Sequence, residues 1–316
     1  MYRFHPSVRW GGGYPKQNQI VNQIRKLWLR YGLDEKTKFS TRVEAVYRDQ
    51  QGRWIVNDSS NGRFDGVIVA IGTCGVPKMP HLPGQENFNG QIFHSSNLDG
   101  KDAKGKRILI VGGGASAVEA LEWAVDTGAA EVKVLTRSDK WIIPRNAFVD
   151  AMLAFNIFGQ ETILSWIPEN ILRIFFYRDL KDIAPADQGL FTETPMVNSE
   201  ILHQIRAGQA AWLRGDIDEA RENGIYFNHR AQGVPKGGIG HHKLVEGDTI
   251  VMATGYKRPS LDFLPDQVFQ EPYGPPRWYL QTFPPQSPVS RTSPVFHRCV
   301  GCSCPLTKQP GRFVYL

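Results

Sequence analysis

Residues 106–119 read KRILIVGGGASAVE, and this stretch decides the fold of the 316-residue chain. The apolar run RILIV is followed by three glycines and then by small residues, which is the order of a β-strand, a tight turn and a helix start. The helical stretch VEALEWAVDTGA leads into a second apolar run, EVKVLTR. This order of strand, glycine turn, helix and strand predicts a βαβ unit and therefore an α/β fold.

The residues of GGGASA match the requirements of a turn that binds a dinucleotide. Gly112 permits the tight turn, Gly114 lets the backbone approach a pyrophosphate, and Ala117 leaves room for close packing of helix on strand. The amides at the helix amino terminus attract phosphate, and Ser116 adds a hydroxyl donor. The alternative is an ordinary turn without a ligand. The motif predicts a dinucleotide site because its flanking elements also fit.

The residue after the second strand indicates which dinucleotide binds. An NAD site usually has Asp or Glu here, which accepts hydrogen bonds from the ribose hydroxyls, whereas this chain has Arg137. The planar guanidinium of arginine pairs well with a phosphate group. We therefore predict NADPH as the ligand. The alternative is that Arg137 is a solvated surface residue.

Two further apolar runs end in glycine, one on each side of the βαβ unit. AIGT occupies Ala70–Thr73, and ATGY occupies Ala253–Tyr256. We expect the chain to leave a first domain after Thr73, to build the nucleotide-binding domain, and to return at about Thr254. The alternative is that these are two ordinary strand ends.

Other segments predict further elements. Apolar residues recur at helical spacing from Lys16 to Tyr31, and TRVEAVYR and RWIVN alternate as a β-hairpin. RFDGVIVAIGT predicts an apolar strand. The most apolar region, Phe148–Tyr177, contains too many polar groups for a bilayer span. It predicts a buried helical pair or, alternatively, a face that rests on a membrane surface.

Composition and charge limit the class of protein. The formal net charge of +6 comes from scattered lysines and arginines, which suits an anionic cofactor but predicts no nucleic-acid binding. The amino terminus, MYRFHPSVRWGGGYP, has neither the apolar core nor the cleavage site of a signal peptide. We therefore predict a cytoplasmic globular protein, with membrane association left open.

The four cysteines provide no disulfide framework. Cys74 stands alone, whereas Cys299, Cys302 and Cys304 lie close together, and this usage suits a reducing compartment. The segment HRCVGCSCP suggests zinc, but a structural zinc site usually needs a second ligand pair, and only His297 is near. We predict no metal.

A third motif indicates a family. In FNGQIFHSS, Phe88, Gly90 and His94 have the spacing FxGxxxH, which resembles the fingerprint of flavin-containing monooxygenases and their Baeyer–Villiger relatives. GGGASA and ATGY fall where that family has its NADPH turn and its later linker. The resemblance runs from about His5 to Gln286 and is closest to fungal members, although the fingerprint's next aromatic is Leu98 here. An alternative is that the histidine is only a hydrogen-bonded linker residue.

The resemblance implies a chemistry and its cofactors. In the family, NADPH reduces FAD, dioxygen adds to the reduced ring, and the flavin hydroperoxide transfers one oxygen to a nitrogen or sulfur nucleophile or to a ketone. The partners would be a small-molecule substrate and dioxygen. We name no catalytic residue, because the cofactors perform the chemistry.

The resemblance also implies a domain plan of two dinucleotide-binding, Rossmann-like domains, with the NADP domain inserted into an incomplete FAD domain. Residues 1–98 would begin the FAD-binding domain, 99–252 would form the NADPH-binding domain, 253–287 would return to the first, and 288–316 would be a divergent tail. Val43, Ile71, Gly72 and Thr73 would lie along the ADP part of FAD, and Thr254 and Gly255 would lie at the cofactor-side linker.

This sequence departs from the family at both ends. The family has an earlier GxGxxG turn for the FAD pyrophosphate, whereas Gly11–Gly13 follows no apolar strand and is closed by Tyr14 and Pro15. Residues 287–316 do not resemble the family's carboxyl end. We therefore expect a chain shortened at both ends, through a gene-model error or a splice product, that binds FAD poorly.

Two alternatives to an FAD- and NADPH-dependent monooxygenase stay open. A disulfide-type flavin reductase is disfavoured because Cys74 has no partner near it in sequence. A non-catalytic, NADP-binding interaction or regulatory protein, acting as a homodimer or on a full-length relative, agrees equally well with the fold.

Overall fold

The computed structural model describes residues 17–72, 74–144, 146–154, 161–186, 188–192, 195–269 and 313–315. The described residues divide into two compact units. The first contains the residues up to Ile71 and those from Ser260 onward, and the second contains the residues from Gly72 to Pro259.

The second unit is built around a seven-stranded sheet. Its strands are β4 (Gln91–His94), β5 (Arg107–Val111), β6 (Glu131–Thr136), β9 (Ala210–Arg221), β10 (Gly224–His229), β11 (His241–Glu246) and β12 (Thr249–Met252). The sheet order is β11-β10-β9-β6-β5-β12-β4. The strands from β9 to β4 run parallel, and β10 and β11 continue the sheet antiparallel. The predicted βαβ unit, with α2 (Ala115–Asp126) between β5 and β6, lies at the centre of this sheet.

The central strands are apolar on both faces because the sheet is covered on both sides. In β5, Ile108 and Ile110 face a core shared with α2, whereas Leu109 and Val111 face a second core with Phe227. All four β5 side chains are buried. A strand that is buried on both faces appears in the sequence as a continuous apolar run. The run RILIV therefore indicates a central strand, which is where β5 lies.

The region Phe148–Tyr177 is only partly buried. It contains α3 (Ala147–Ala154) and α4 (Trp166–Phe175), and the small strands β7 (Ile142–Ile143) and β8 (Met196–Val197) pair beside it. Among the described residues, no helix has the length and apolar composition needed to cross a membrane.

A set of apolar side chains in this region remains exposed. They are Ile163, Leu164, Trp166, Ile167, Ile174 and Phe175, and we call them the α4 surface. In contrast, Leu172 and Tyr177 are fully buried. The prediction of a buried helical pair is therefore correct for the inner side of these helices and wrong for the outer side.

The first unit contains shorter elements. The predicted amino-terminal helix is present as α1 (Gln17–Arg30), and the predicted hairpin is formed by β1 (Val46–Arg48) and β2 (Trp54–Val56). The strand expected over residues 63–73 is confined to β3 (Gly66–Ile68), which pairs in parallel with β13 (Phe313–Tyr315).

The two units divide the chain elsewhere than the domain plan drawn from the sequence. The divisions lie at 71/72 and 259/260, close to the crossings expected after Thr73 and at about Thr254, whereas the domain plan implied by the resemblance has its divisions at 98/99 and 252/253. The reason is β4, which pairs with β12 and so attaches the segment before residue 98 to the large sheet. The assignment of each part to FAD or NADPH stays a prediction. One short helix, α5 (Ile201–Arg206), completes the second unit.

Candidate dinucleotide site

The first two glycines of the turn shape the backbone. Gly112 has a φ of +129°, and a Cβ built on it would overlap the carbonyl oxygen of Ala253. A Cβ on Gly113 would overlap the hydroxyl of Thr136 and would lie 2.9 Å from its Cβ. The Gly112 amide donates to the carbonyl of Leu135 at 2.9 Å, which ties the turn to the neighbouring strand. These two positions need glycine for folding alone.

The third glycine has a different environment. Gly114 has an extended backbone, with φ −106° and ψ −170°, and a Cβ built there would have no atom within 4 Å. It precedes α2 directly, where the first amides of a helix have no partner within the helix. Open space before unpaired amides is what an anion needs. A side chain at Gly114 would therefore meet open space, and a role of this residue toward a ligand stays a prediction.

The first turn of α2 holds the other two predicted residues. Ala117 is fully buried against the sheet, as close packing of helix on strand requires. Ser116 is half-buried on the same turn. A cavity of about 670 Å³ lies beside this helix and includes Ala115 and Lys140 in its lining. The helix amino terminus thus borders accessible space on one side and the core on the other.

Strand β6 ends at the position that is predicted to select the dinucleotide. Thr136 is buried, and the next residue, Arg137, is exposed. An acidic residue does follow, but the carboxylate of Asp139 is paired with the buried guanidinium of Arg214 from the neighbouring strand. This pair is not evident from the sequence, because the two residues lie 75 positions apart and no short-range pattern links them.

Residues 76–78, which follow the first predicted crossing segment, lie beside the second crossing segment in the second unit. The Lys78 amide donates to the Gly255 carbonyl at 2.9 Å, and the Lys257 amide donates to the Val76 carbonyl at 2.9 Å. The hydroxyl of Thr254 also donates to the carbonyl of Lys78. Thr254 and Gly255 therefore hold the two passages of the chain together.

The fingerprint residues Phe88, Gly90 and His94 lie in or just before strand β4, and His94 contacts Gly255 of the second crossing segment. Phe88 is buried in the second core, and a Cβ on Gly90 would overlap both the Phe88 ring and the carbonyl of Asp248. The glycine is needed because ring and backbone approach each other closely there. Phe88 and Gly90 therefore have a packing reason in this structure.

His94 is buried and fully hydrogen-bonded. Its Nε2 lies 2.9 Å from the carbonyl of Gly255, and its Nδ1 accepts from the amide of Ser96 at 3.1 Å. Because Nδ1 accepts, the proton sits on Nε2 and is donated to the carbonyl. The ring of Tyr256 packs edge-on at 5.1 Å between centroids. This geometry is that of a linker histidine, one of the two alternatives considered for this residue.

Three of the positions assigned to FAD, namely Val43, Ile71 and Gly72, lie in loops. Val43 is half-buried, three residues before β1, and Ile71 is exposed. Gly72 has a φ of +79° and open space around its Cα. Thr73 lies outside the described residues. A role of these four residues toward FAD stays a prediction.

The prediction of no metal concerns cysteines in two parts of the chain. Cys74 is exposed. The described ranges contain no group of three or more His, Cys, Asp or Glu residues placed to hold a metal ion. His297, Cys299, Cys302 and Cys304 lie outside the residues that the structure describes.

Comparison with known proteins identifies the family that this chain resembles in sequence. A family model described as flavin-binding monooxygenase-like matches residues 12–297. A Baeyer-Villiger monooxygenase of Pseudomonas aeruginosa is 30% identical over 148 residues, which cover 46% of this chain and 28% of the relative. Flavin-containing monooxygenase 2 of Homo sapiens is 26% identical over 312 residues, covering 92% of this chain and 54% of the relative. The chain thus spans about half the length of the human relative and less of the bacterial one.

Solved structures show the same fold. An oxidised steroid monooxygenase bound to NADP has a TM-score of 0.57 at 20% identity, covering 84% of this chain and 62% of that one. OTEMO in complex with FAD and NADP (form 1) has a TM-score of 0.59 at 17% identity, covering 82% and 60%. Together with the family match over most of its length, these findings show that the chain belongs to the flavin-binding monooxygenase-like family.

Proposed function

We propose that this chain binds NADPH and forms the nicotinamide-dinucleotide part of an FAD- and NADPH-dependent monooxygenase. The observation that carries the proposal is the open space at Gly114, before the amino terminus of α2, with the exposed Arg137 at the end of the adjacent strand β6. Backbone amides suit the pyrophosphate, and a guanidinium suits a phosphate on the ribose. The site therefore fits NADPH better than NADH.

Each residue named for the site has a separate role in this proposal. Gly112 and Gly113 set the path of the turn, the amides of α2 bind the pyrophosphate, and Arg137 binds the ribose phosphate. His94 and Gly255 hold the crossing segments in register through their 2.9 Å hydrogen bond. None of these groups needs to transfer a proton.

FAD would supply the oxygen-transfer chemistry, in which dioxygen is activated and one oxygen passes to a nitrogen or sulfur nucleophile or a ketone. The described residues fit FAD less well than NADPH. Gly72 offers a left-handed backbone and open space, which suits close approach of a ligand. However, the described part of the first unit contains no strand, glycine turn and helix in succession. Weak retention of FAD by this chain stays a prediction, which the flavin absorbance of the purified protein tests.

Titration with NADPH and NADH tests the proposal directly. We expect NADPH to bind about 10- to 100-fold more tightly, because one charge-assisted contact contributes about 1.5–3 kcal/mol. Arg137→Ala should remove most of that difference. Arg178→Ala, a change at another exposed arginine, should leave it intact. Equal affinity of the unmodified chain for both dinucleotides would show that Arg137 does not select the ligand.

A second candidate function is a non-catalytic, NADP-binding regulatory or interaction protein. The exposed α4 surface favours it, because contiguous apolar side chains on a protein surface commonly mark a binding site. Consumption of NADPH after addition of FAD, in the presence of an amine, a sulfide or a ketone, separates the two candidates. Turnover supports the monooxygenase, whereas NADPH binding without turnover by a chain that has taken up FAD supports the regulatory protein.

We also propose that the α4 surface rests on a membrane surface. Ile163, Ile167 and Ile174 are spaced four and seven residues apart and so follow one side of the helical segment. Trp166 and Phe175 are 58% and 72% exposed, and aromatic side chains of this kind favour the boundary between lipid and water.

Sedimentation with phosphatidylcholine and phosphatidylglycerol vesicles tests this proposal. The chain should bind the vesicles, and Ile163→Asp with Phe175→Asp should abolish binding without loss of NADPH affinity. If the same double variant instead converts a dimer to a monomer and vesicles never bind, the surface is a homodimer contact and the membrane proposal is wrong.

A further inference from the structure

Two arginines are buried beside the end of β6. Arg214, in β9, is 7% exposed, and Arg230, directly after β10, is 2% exposed. The Arg230 amide donates to the Arg214 carbonyl at 2.9 Å, so the two residues are adjacent. Buried arginines occur almost only where their charge and donors are matched. Their partners should therefore explain why they are there.

Arg230 anchors the backbone of the residue predicted to select the dinucleotide. Its Nη2 donates to the carbonyl oxygen of Arg137 at 2.6 Å, and its Nη1 donates to the carbonyl of Val234 at 2.6 Å. Its Nε lies 2.8 Å from an oxygen of Asp216, as an ion pair in which the N–H is not aligned for a hydrogen bond. The guanidinium thus fixes the main chain at Arg137 and leaves the Arg137 side chain in solvent.

Arg214 acts on the same turn two residues later. Its Nε binds the carboxylate of Asp139, whose side chain is 16% exposed. The hydroxyl of Thr136 donates to the carbonyl of Ser138 at 2.9 Å. Residues 136–139, which we call the selector turn, are therefore held at three points, two of them by buried arginines.

The pairing of Asp139 matters because of where it lies. An acidic residue just after the second strand is what an NAD site uses to accept hydrogen bonds from the ribose hydroxyls. A free carboxylate would also repel a phosphate attached to that ribose. Arg214 removes both effects, because it neutralises the charge and occupies a carboxylate oxygen.

We infer that Arg214 and Arg230 are positioning residues for dinucleotide selection: Arg230 presents Arg137 to a phosphate on the adenosine ribose, and Arg214 silences Asp139. This inference rests on the proposed function, since it concerns the same ligand. It predicts that selectivity for NADPH over NADH depends on residues that do not touch the ligand.

The test measures dissociation constants for NADPH and NADH, with urea denaturation of each variant as a record of folding. Arg214→Met should lower the NADPH-to-NADH affinity ratio by about tenfold, because Asp139 becomes an acceptor and a like charge. Adding Asp139→Asn in the same chain should restore the ratio. Arg230→Met should weaken NADPH by about tenfold and leave NADH nearly unchanged, because only the presentation of Arg137 is lost.

The matched control is Arg221→Met. Arg221 is in the same strand as Arg214 and pairs with Glu219 at 2.7 Å, but it is exposed and remote from the selector turn. It should leave the ratio unchanged. Equal weakening of both dinucleotides by Arg214→Met and Arg230→Met, followed by no rescue with Asp139→Asn, would show a purely structural role and overturn the inference.

Asp139→Asn by itself keeps the decision open to experiment if the arginine variants fail to fold. It is nearly isosteric, so the inference expects a folded protein that still prefers NADPH. Loss of the preference would overturn it. Failure of the unmodified chain to bind NADPH would instead contradict the proposed function, so the two failures are distinguishable.

Discussion

Replacing Gly114 by valine separates ligand binding from folding more sharply than any other change in the glycine turn. The backbone at this position is extended, and a Cβ would have no atom within 4 Å. Valine can therefore adopt the native conformation without strain. Its side chain would then occupy the space in front of α2 that a pyrophosphate needs.

The magnitudes follow from this geometry. Gly114 is the residue that caps α2, and a β-branched apolar residue there costs about 1 kcal/mol of stability relative to a favourable cap. Loss of two amide-to-phosphate hydrogen bonds, each contributing about 1.5–3 kcal/mol, should weaken NADPH by at least about 100-fold. The effect on binding thus exceeds the effect on folding.

Two measurements are required, a urea denaturation curve and an NADPH titration. Gly112→Ala is the matched contrast, because its φ of +129° and the overlap with Ala253 oppose any side chain. It should lose about 1–3 kcal/mol or more of unfolding free energy. The Gly114→Val variant should therefore fold and lose NADPH binding, whereas the Gly112→Ala variant should lose stability.

The result that refutes this reasoning is a folded Gly114→Val variant with the NADPH affinity of the unmodified chain. The turn would then be an ordinary connection, and the dinucleotide, if bound, would lie elsewhere. Gly114→Ser provides a further check, because serine restores a favourable helix cap while still adding a side chain. Its stability should equal or exceed that of the unmodified chain.

Two other predictions follow from the second unit. Tyr177→Phe should cost about 1–3 kcal/mol in urea denaturation, because the buried hydroxyl donates to the Ile142 carbonyl and accepts from the Ile142 amide, both at 2.8 Å. Burial raises the pKa of Tyr177, so these bonds should persist at alkaline pH. Hydrogen bonds from the Arg107 side chain and amide lower the pKa of Asp248, so its contribution is present above about pH 4 and is lost as pH falls through the lowered value. Asp248→Asn should remove this acid dependence. The free energy of unfolding should fall by less than about 1 kcal/mol, because the Arg107–Asp248 pair is partly exposed.

Much of the sheet follows from local pattern. The strand at 107–111, the glycine turn and the helix after it are predicted because a strand buried on both faces is continuously apolar and a helix repeats its apolar face. The amino-terminal helix and the hairpin after it are predicted for the same reason. Their lengths were less predictable: within the strand expected over 63–73, the described residues form a strand at Gly66–Ile68.

The sequence alone therefore determined the α/β class and the glycine turn, because these depend on neighbouring residues. Only the tertiary structure decided which polar groups meet. His94 bonds a carbonyl 161 residues away, and Asp139 meets Arg214 across 75 residues. Likewise, the apolar residues of the α4 surface read as core in the sequence, yet lie in solvent. Composition shows that a side chain can be buried, but the packing of distant elements decides whether it is.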